Sequence, residues 1–298
     1  MNGSDDNGWE GLPNVLGFDL LRDLKIEGDA VLPYYEQTGK DATKIKRVVL
    51  VQPGKPRDSW KYINLIRNAL TCAASREWGV DMSTILVAGA AWLNKDDASA
   101  GAAQANDLYF GDWSGAGLSA GPGDTTVTSF KAFDQLVEKY FDKSKYPNLN
   151  NVVLAGHSLG ASFTQRYAML RNPTSDDPNM IFWMGNPGAY VWPTDTRPVM
   201  NNGTCDGQFN DWPYGLNDTD PKNVPIYARK GFNPQQTVAT YFSRSVHYNL
   251  GLLDDGRVPR AFLLTWSWTL TSFSFLVTAP ETRTAKRNMK ARRIWLEV

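Results

Sequence analysis

Along this chain the apolar residues gather into five short runs: "RVVLV" at 47–51, "TILVA" at 84–88, "VVLA" at 152–155, "MIFWM" at 180–184 and "VHYNL" at 246–250. None shows the strict polar alternation of a strand half exposed to water, so the runs predict strands buried on both faces, as in a parallel sheet. Between them the period lengthens to that of a helix. After the first run, Asp58 stands where it can cap a helix in which Ile63, Ile66, Leu70 and Ala73 recur every three or four residues, with Gly79 as a stop signal. Before the third, Ser129 leads into Phe130, Phe133, Val137 and Tyr140 on one helical face. Behind it, Leu159, Phe163, Tyr167 and Leu170 repeat the pattern.

Strands alternating with helices predict an α/β fold, a mainly parallel twisted sheet flanked by helices, whose ligands sit at the carboxyl ends of the strands. The Gly, Ser and Asp-rich stretch 97–124 and the Asn, Asp and Pro-rich stretch 193–224 predict long surface loops, of a length that suits lids or binding loops. The aromatic residues in and beside them, Tyr109, Phe110, Trp113, Trp192, Trp212 and Tyr214, are candidates to line an apolar acyl pocket, or simply to pack.

Composition narrows the partners. A chain of 298 residues that is 42% hydrophobic can bury one large core and calls for no second one. Its 31 basic residues balance 31 acidic ones, so no global field draws it to nucleic acid or to an anionic membrane. No metal-ligand spacing and no phosphate-cradling Gly loop occurs, which predicts no metal and no cofactor. Cys72 and Cys205 allow at most one internal disulfide, and Asn2, Asn202 and Asn217 begin matches to the N-x-S/T glycosylation pattern. The opening "MNGSDDNGWEGLPNV" has neither a charged n-region nor an apolar h-region, so no secretory signal is predicted.

Chemistry enters at "NVVLAGHSLGASF", residues 151–163, where an apolar strand runs into a G-x-S-x-G pattern and then into a helix. A sharp strand-to-helix turn lifts a serine hydroxyl above the sheet, and small flanking residues let the backbone pass closely. Ser158 is therefore the candidate nucleophile. A second match, Gly117 to Gly121 around Ser119, follows no apolar strand and runs into Pro122, so it is read as loop. An acyl-transfer nucleophile also needs oxyanion donors, one from the residue after the serine and one from the loop after an earlier strand. These are the amides of Leu159 and, in "QPGKPRDSW", of Lys55, beside a permissive Gly54 and a Pro56 that has no N–H.

These residues resemble the α/β-hydrolase superfamily, and more narrowly a group of fungal, often secreted hydrolase-like proteins. The likeness runs from "LPYYE" at 32–36 to "GLLDDG" at 251–256, and its marks are "QPGKPRDSW", "SFKAFDQLVEKYF", "VVLAGHSLGASFTQRYA", "GNPGAYVWPTDTRP" and "FNDWPYGL". The resemblance implies a serine hydrolase of a small-molecule ester or similar acyl bond, with Ser, Asp and His in that order along the chain, and a secreted location. Two departures stand out: Gln52-Pro53-Gly54 replaces the usual His-Gly, and Ala161 replaces a second glycine. The resemblance makes Asp254 the acid and divides the chain into an extension (1–30), a hydrolase domain without a large separate cap (31–256) and a divergent tail (257–298).

The histidine is the difficulty. The chain holds only His157 and His247, and none follows Asp254. Chain order leaves His247 as the candidate base, with Asp195 or Asp220 as its acid; equally, its place inside a strand reads as a packed residue. Extended chain separates it from Asp254 by about 23 Å, too far for one triad. Two functions therefore stand open, an acyl hydrolase and a catalytically impaired homologue that keeps its pocket as a binding module. In the tail, residues 261–280 carry no charge and precede a basic segment, as a membrane anchor does. Seven of these 20 are Ser or Thr, and hydroxyl and apolar residues alternate over 265–271, which is a strand's period.

Overall fold

The computed structural model describes residues 2–76, 78–197, 208–217, 219–251 and 272–277. Its centre is a sheet of eight strands: β1 (Phe18–Leu21), β2 (Tyr34–Gln37), β3 (Arg47–Gln52), β4 (Ile85–Ala90), β5 (Asn151–His157), β6 (Met180–Gly185), β7 (Ser245–Gly251) and β8 (Ser272–Val277). Their spatial order is β8-β7-β6-β5-β3-β4-β2-β1. The strands from β4 through β3, β5 and β6 to β7 run parallel, each being one of the five apolar runs, and β2 lies antiparallel to both β4 and β1. Strand β8 closes the other edge, antiparallel to β7.

Continuous apolar sequence becomes a two-faced core. In β3, Val48 and Leu50 turn to one face and Val49 and Val51 to the other, as the strand period of two requires. The first face meets helix α3 (Ser129–Phe141) and helix α4 (Leu159–Leu170). The second meets helix α1 (Ser59–Ala74), through Ile63, Ile66 and Leu70. Helix α4 is buried all round from Gly160 to Leu170. Its Phe163 ring lies within 5.2–5.9 Å of the rings of Trp92, Trp113, Phe130, Phe133 and Tyr167. Aromatic pairs at such spacing add about 0.5–1.5 kcal/mol each beyond the area they bury, so this cluster holds α4, and with it the β5–α4 turn, against the sheet.

Helix α5 (Pro234–Ser243) packs on α4 and feeds β7 through Arg244. The buried Arg244 guanidinium donates to Asp177 Oδ2 at 2.7 and 2.9 Å and to the carbonyls of Ala168 and Arg171. The end of α4 is thereby tied to the start of β7.

Several expectations change. The sheet begins before residue 31, because Phe18–Leu21 pairs with Tyr34–Gln37, and it includes residues beyond 256. The stretch 97–124 is not a solvent loop. It forms helix α2 (Lys95–Ala100), capped by Asn94, and a small hairpin of Tyr109–Phe110 with Ser119–Gly121, and it buries Leu108, Phe110 and Trp113 in the core. Asp58 stands at the start of α1 without capping it through its side chain. The cap of α3 is Thr128 rather than Ser129, its hydroxyl accepting from the Lys131 N–H at 3.2 Å. Thr128→Ala is expected to lower the unfolding free energy by about 1 kcal/mol, measurable as a shift in the urea midpoint at constant slope. Among the described residues no helix is long and apolar enough to cross a membrane. Of the uncharged segment 261–280, only the strand Ser272–Val277 lies within them.

Candidate active site

Strand β5 ends at His157, helix α4 starts at Leu159, and Ser158 alone makes the turn, with φ 56° and ψ −121°. A non-glycine residue in such a region carries a strain of about 1–3 kcal/mol and persists only where its surroundings over-determine it. Here they do. The Ser158 N–H donates to the Gly185 carbonyl at 3.0 Å, and its own carbonyl accepts from Ala161, Ser162 and Gly188 at 3.0–3.3 Å. The flanking glycines are required by close approach: a Cβ at Gly156 would lie 2.0 Å from the Gly160 oxygen. One at Gly160 would lie 2.4 and 2.5 Å from the Pro53 and Gln52 oxygens. Ala161, where the resemblance has a second glycine, is fully buried in the core.

The contact of Gly160 with residues 52 and 53 brings the loop after β3 against the first turn of α4. This is the loop that carries the Lys55 amide, and the turn that carries the Leu159 amide. Gln52 is fully buried, its Oε1 accepting from Trp92 Nε1 at 2.7 Å, which anchors the last residue of β3 where the resemblance has a histidine. The Gly54 backbone hydrogen-bonds the Tyr62 hydroxyl, so among the loop's amides Lys55 is left without a partner among the described residues.

The structure does not bring His247 to Ser158. In the sheet register His247 is level with Trp183 of β6 and Ala155 of β5. It therefore lies three residues before Ser158 along the strands and two strands across, roughly 14 Å away on strand spacings. Alternation in β7 sends Val246 and Tyr248 to the α4 face and His247 to the α1 face. His247 Nε2 is hydrogen-bonded to Ser245 Oγ at 2.9 Å, and burial lowers its pKa below the ordinary histidine value. Asp254 lies outside the described residues, as do Cys205 and most of 257–298. Asp195 and Asp220 are exposed loop residues. Ser119 sits in the small hairpin with its hydroxyl donating to the Thr125 carbonyl, so the second G-x-S-x-G match forms no strand-to-helix turn.

Two residues near the turn had no part in the sequence reading. The Tyr62 hydroxyl lies 3.4 Å from His157 Nδ1, and burial first, then the Asp58 charge, pushes its pKa up to about 12. At neutral pH it is a protonated phenol and not a base. Asn186 follows β6 at φ 44°; its N–H donates to the Asn249 carbonyl and its Oδ1 accepts from the Gly251 N–H, joining the carboxyl ends of β6 and β7. Tyr62 falls one helical turn after Asp58 and Asn186 lies within "GNPG", so both were visible as positions but not as contacts.

From Ser158 the segment 188–191 runs along α4: Gly188 bonds Ser158, Ala189 bonds the Ser162 hydroxyl, and Val191 bonds the Gln165 amide. It ends at an apolar cavity of about 180 Å³ lined by Gln165, Tyr190, Trp192, Tyr241 and Tyr248. Of the loop aromatics, Trp192 lines this cavity, whereas Phe110 and Trp113 belong to the core and Trp212 Nε1 donates to the Gly115 carbonyl. Tyr214 is exposed.

No protein family and no curated protein sequence matches the chain. Among solved structures it is similar to a poly(aspartic acid) hydrolase-1 from Sphingomonas sp. KT-1, at 17% identity over 80% of this chain and 72% of that one, with a TM-score of 0.46. It is also similar to a poly(3-hydroxybutyrate) depolymerase from Bordetella parapertussis, at 18% identity over 77% and 64%, with a TM-score of 0.46. A siderophore hydrolase from Aspergillus nidulans shows 11% identity over 59% and 60%, with a TM-score of 0.32. The chain spans less than two thirds of the length of the second and third. On its own strand order, its antiparallel second strand and the strained serine between β5 and α4, the chain has the α/β-hydrolase fold.

Proposed function

We propose that this protein is a serine hydrolase in which Ser158 attacks the carbonyl of a small-molecule acyl ester. The observation that carries the reading is the strained Ser158 backbone at the β5–α4 turn, held by the Gly185 and Gly188 backbone on one side and the first turn of α4 on the other. Ser158 Oγ adds to the acyl carbon as its proton passes to the ester's leaving oxygen, which departs with it as the alcohol, and the Leu159 and Lys55 amides donate to the carbonyl oxygen that becomes negative. Collapse leaves an acyl-serine that water cleaves to the acid and free Ser158. The narrower resemblance, to fungal and often secreted hydrolase-like proteins, supports an ester or a similar acyl bond as the substrate.

A second reading, a homologue impaired in catalysis that binds a ligand in the same pocket, is favoured by the hydrogen bond that holds His247 on Ser245 and by its register far from Ser158. Hydrolysis of p-nitrophenyl butyrate by the purified chain separates the two. The hydrolase reading predicts turnover above that of Ser158→Ala, and the binding reading predicts none. His247→Ala is expected to leave the rate within about twofold of wild type, since a group some 14 Å from the nucleophile cannot take its proton. Loss of activity in that variant would make His247 the base and overturn this placement.

A further inference from the structure

Arg57 is a non-glycine residue with a positive φ, 63°, in the loop that carries the Lys55 amide. Such backbone is held by its surroundings or not at all. What holds it is a buried two-pronged ion pair: Arg57 Nε donates to Asp97 Oδ2 at 2.7 Å and Nη2 to Asp97 Oδ1 at 3.0 Å. The two side chains are 7% and 0% exposed. The Asp97 carboxylate also accepts from the Trp9 N–H and the Asn94 N–H, both at 2.9 Å, so it is anchored to the start of α2 and to the N-terminal segment as well as to the loop.

The loop's polar groups are taken up one after another. The Gly54 carbonyl accepts from the Arg57 N–H at 3.0 Å, the Lys55 carbonyl from Arg57 Nη1 at 3.4 Å, and the Pro56 carbonyl from Trp9 Nε1 at 2.7 Å. The Trp9 ring is itself set edge-on against Trp60 of α1 at 5.2 Å. With three successive carbonyls fixed and the Gly54 N–H on Tyr62, the Lys55 peptide has one orientation, and its N–H is the group left to meet a ligand. We infer that Asp97, acting through Arg57, is a positioning residue that aims the Lys55 amide at the oxyanion formed on Ser158. This rests on the hydrolase reading above. It also gives Arg57 the task that the absent His-Gly pair leaves open.

The test compares full-length Arg57→Gly and Asp97→Asn with Asp107→Asn, which breaks a pair with an equally buried carboxylate, Arg22–Asp107, away from the loop. Glycine accepts the positive φ, so Arg57→Gly removes the ion pair without adding strain. Each variant is treated with a fluorophosphonate probe, and labelling of Ser158 is resolved into probe binding and the bond-forming step, beside amide hydrogen exchange of residues 52–58. Expected in Arg57→Gly and Asp97→Asn is a bond-forming rate lower by roughly tenfold or more, with probe binding little changed and exchange of 52–58 accelerated. Asp107→Asn should lose melting temperature yet keep the labelling rate. Arg57→Lys, which keeps the charge but not the fork, should fall between and serves if Arg57→Gly does not fold. Unchanged labelling in the loop variants, or an equal loss in Asp107→Asn, overturns the inference. Failure of the wild-type chain to label at Ser158 would instead refute the hydrolase reading on which it rests.

Discussion

Gly156→Ala should destabilise the protein by about 3 kcal/mol or more, and Gly156→Val should prevent folding. The added Cβ would stand 2.0 Å from the Gly160 oxygen and 2.3 Å from its carbonyl carbon, both backbone atoms of the first turn of α4. That turn cannot retreat, because Gly160 already abuts the Pro53 and Gln52 oxygens on its other side, and α4 behind it is buried throughout. Gly28 makes the contrast. It has φ 56° but open space around its Cβ position, so alanine there meets only backbone strain, about 1–2 kcal/mol. Urea unfolding of the two variants reads the difference directly. A Gly156→Ala protein as stable as Gly28→Ala would mean that the β5–α4 turn is looser than described.

The second large effect is on chemistry. Ser158→Ala should lower p-nitrophenyl butyrate hydrolysis by about a thousandfold or to background, while leaving the unfolding midpoint close to wild type. The hydroxyl makes no capping hydrogen bond to α4, so its removal takes no cap from the helix. The strained backbone is held by main-chain bonds that alanine also makes. Activity lost together with stability would point to a structural serine, whereas activity lost alone fits a nucleophile.

The five central strands were legible because burial on both faces leaves continuous apolar runs, and each run coincides with a parallel strand to within a residue or two. The outer strands Phe18–Leu21 and Tyr34–Gln37 were not, since short antiparallel strands carry mixed residues such as Asp19 and Glu36. The stretch 97–124 misled through its composition: Gly, Ser and Asp surround the three side chains, Leu108, Phe110 and Trp113, that bury it. At the candidate site, the strand-to-helix turn around Ser158 could be read from the strand, the pentapeptide and the helix behind it. Arg57 could not, because its conformation depends on a φ value and on a carboxylate 40 residues later in the chain. His247 shows the opposite limit. Counting residues selects it by elimination, and only the register of β7 against β6 and β5 places it on the wrong face and too early along the strand.

Whether the β5–α4 turn presents Ser158 as a nucleophile is decided by treating the full-length protein with a fluorophosphonate probe and locating the adduct by peptide mass spectrometry. The expected result is one adduct, on Ser158, absent from Ser158→Ala. An adduct elsewhere, such as on Ser119, or none under conditions where the protein is folded, would contradict it.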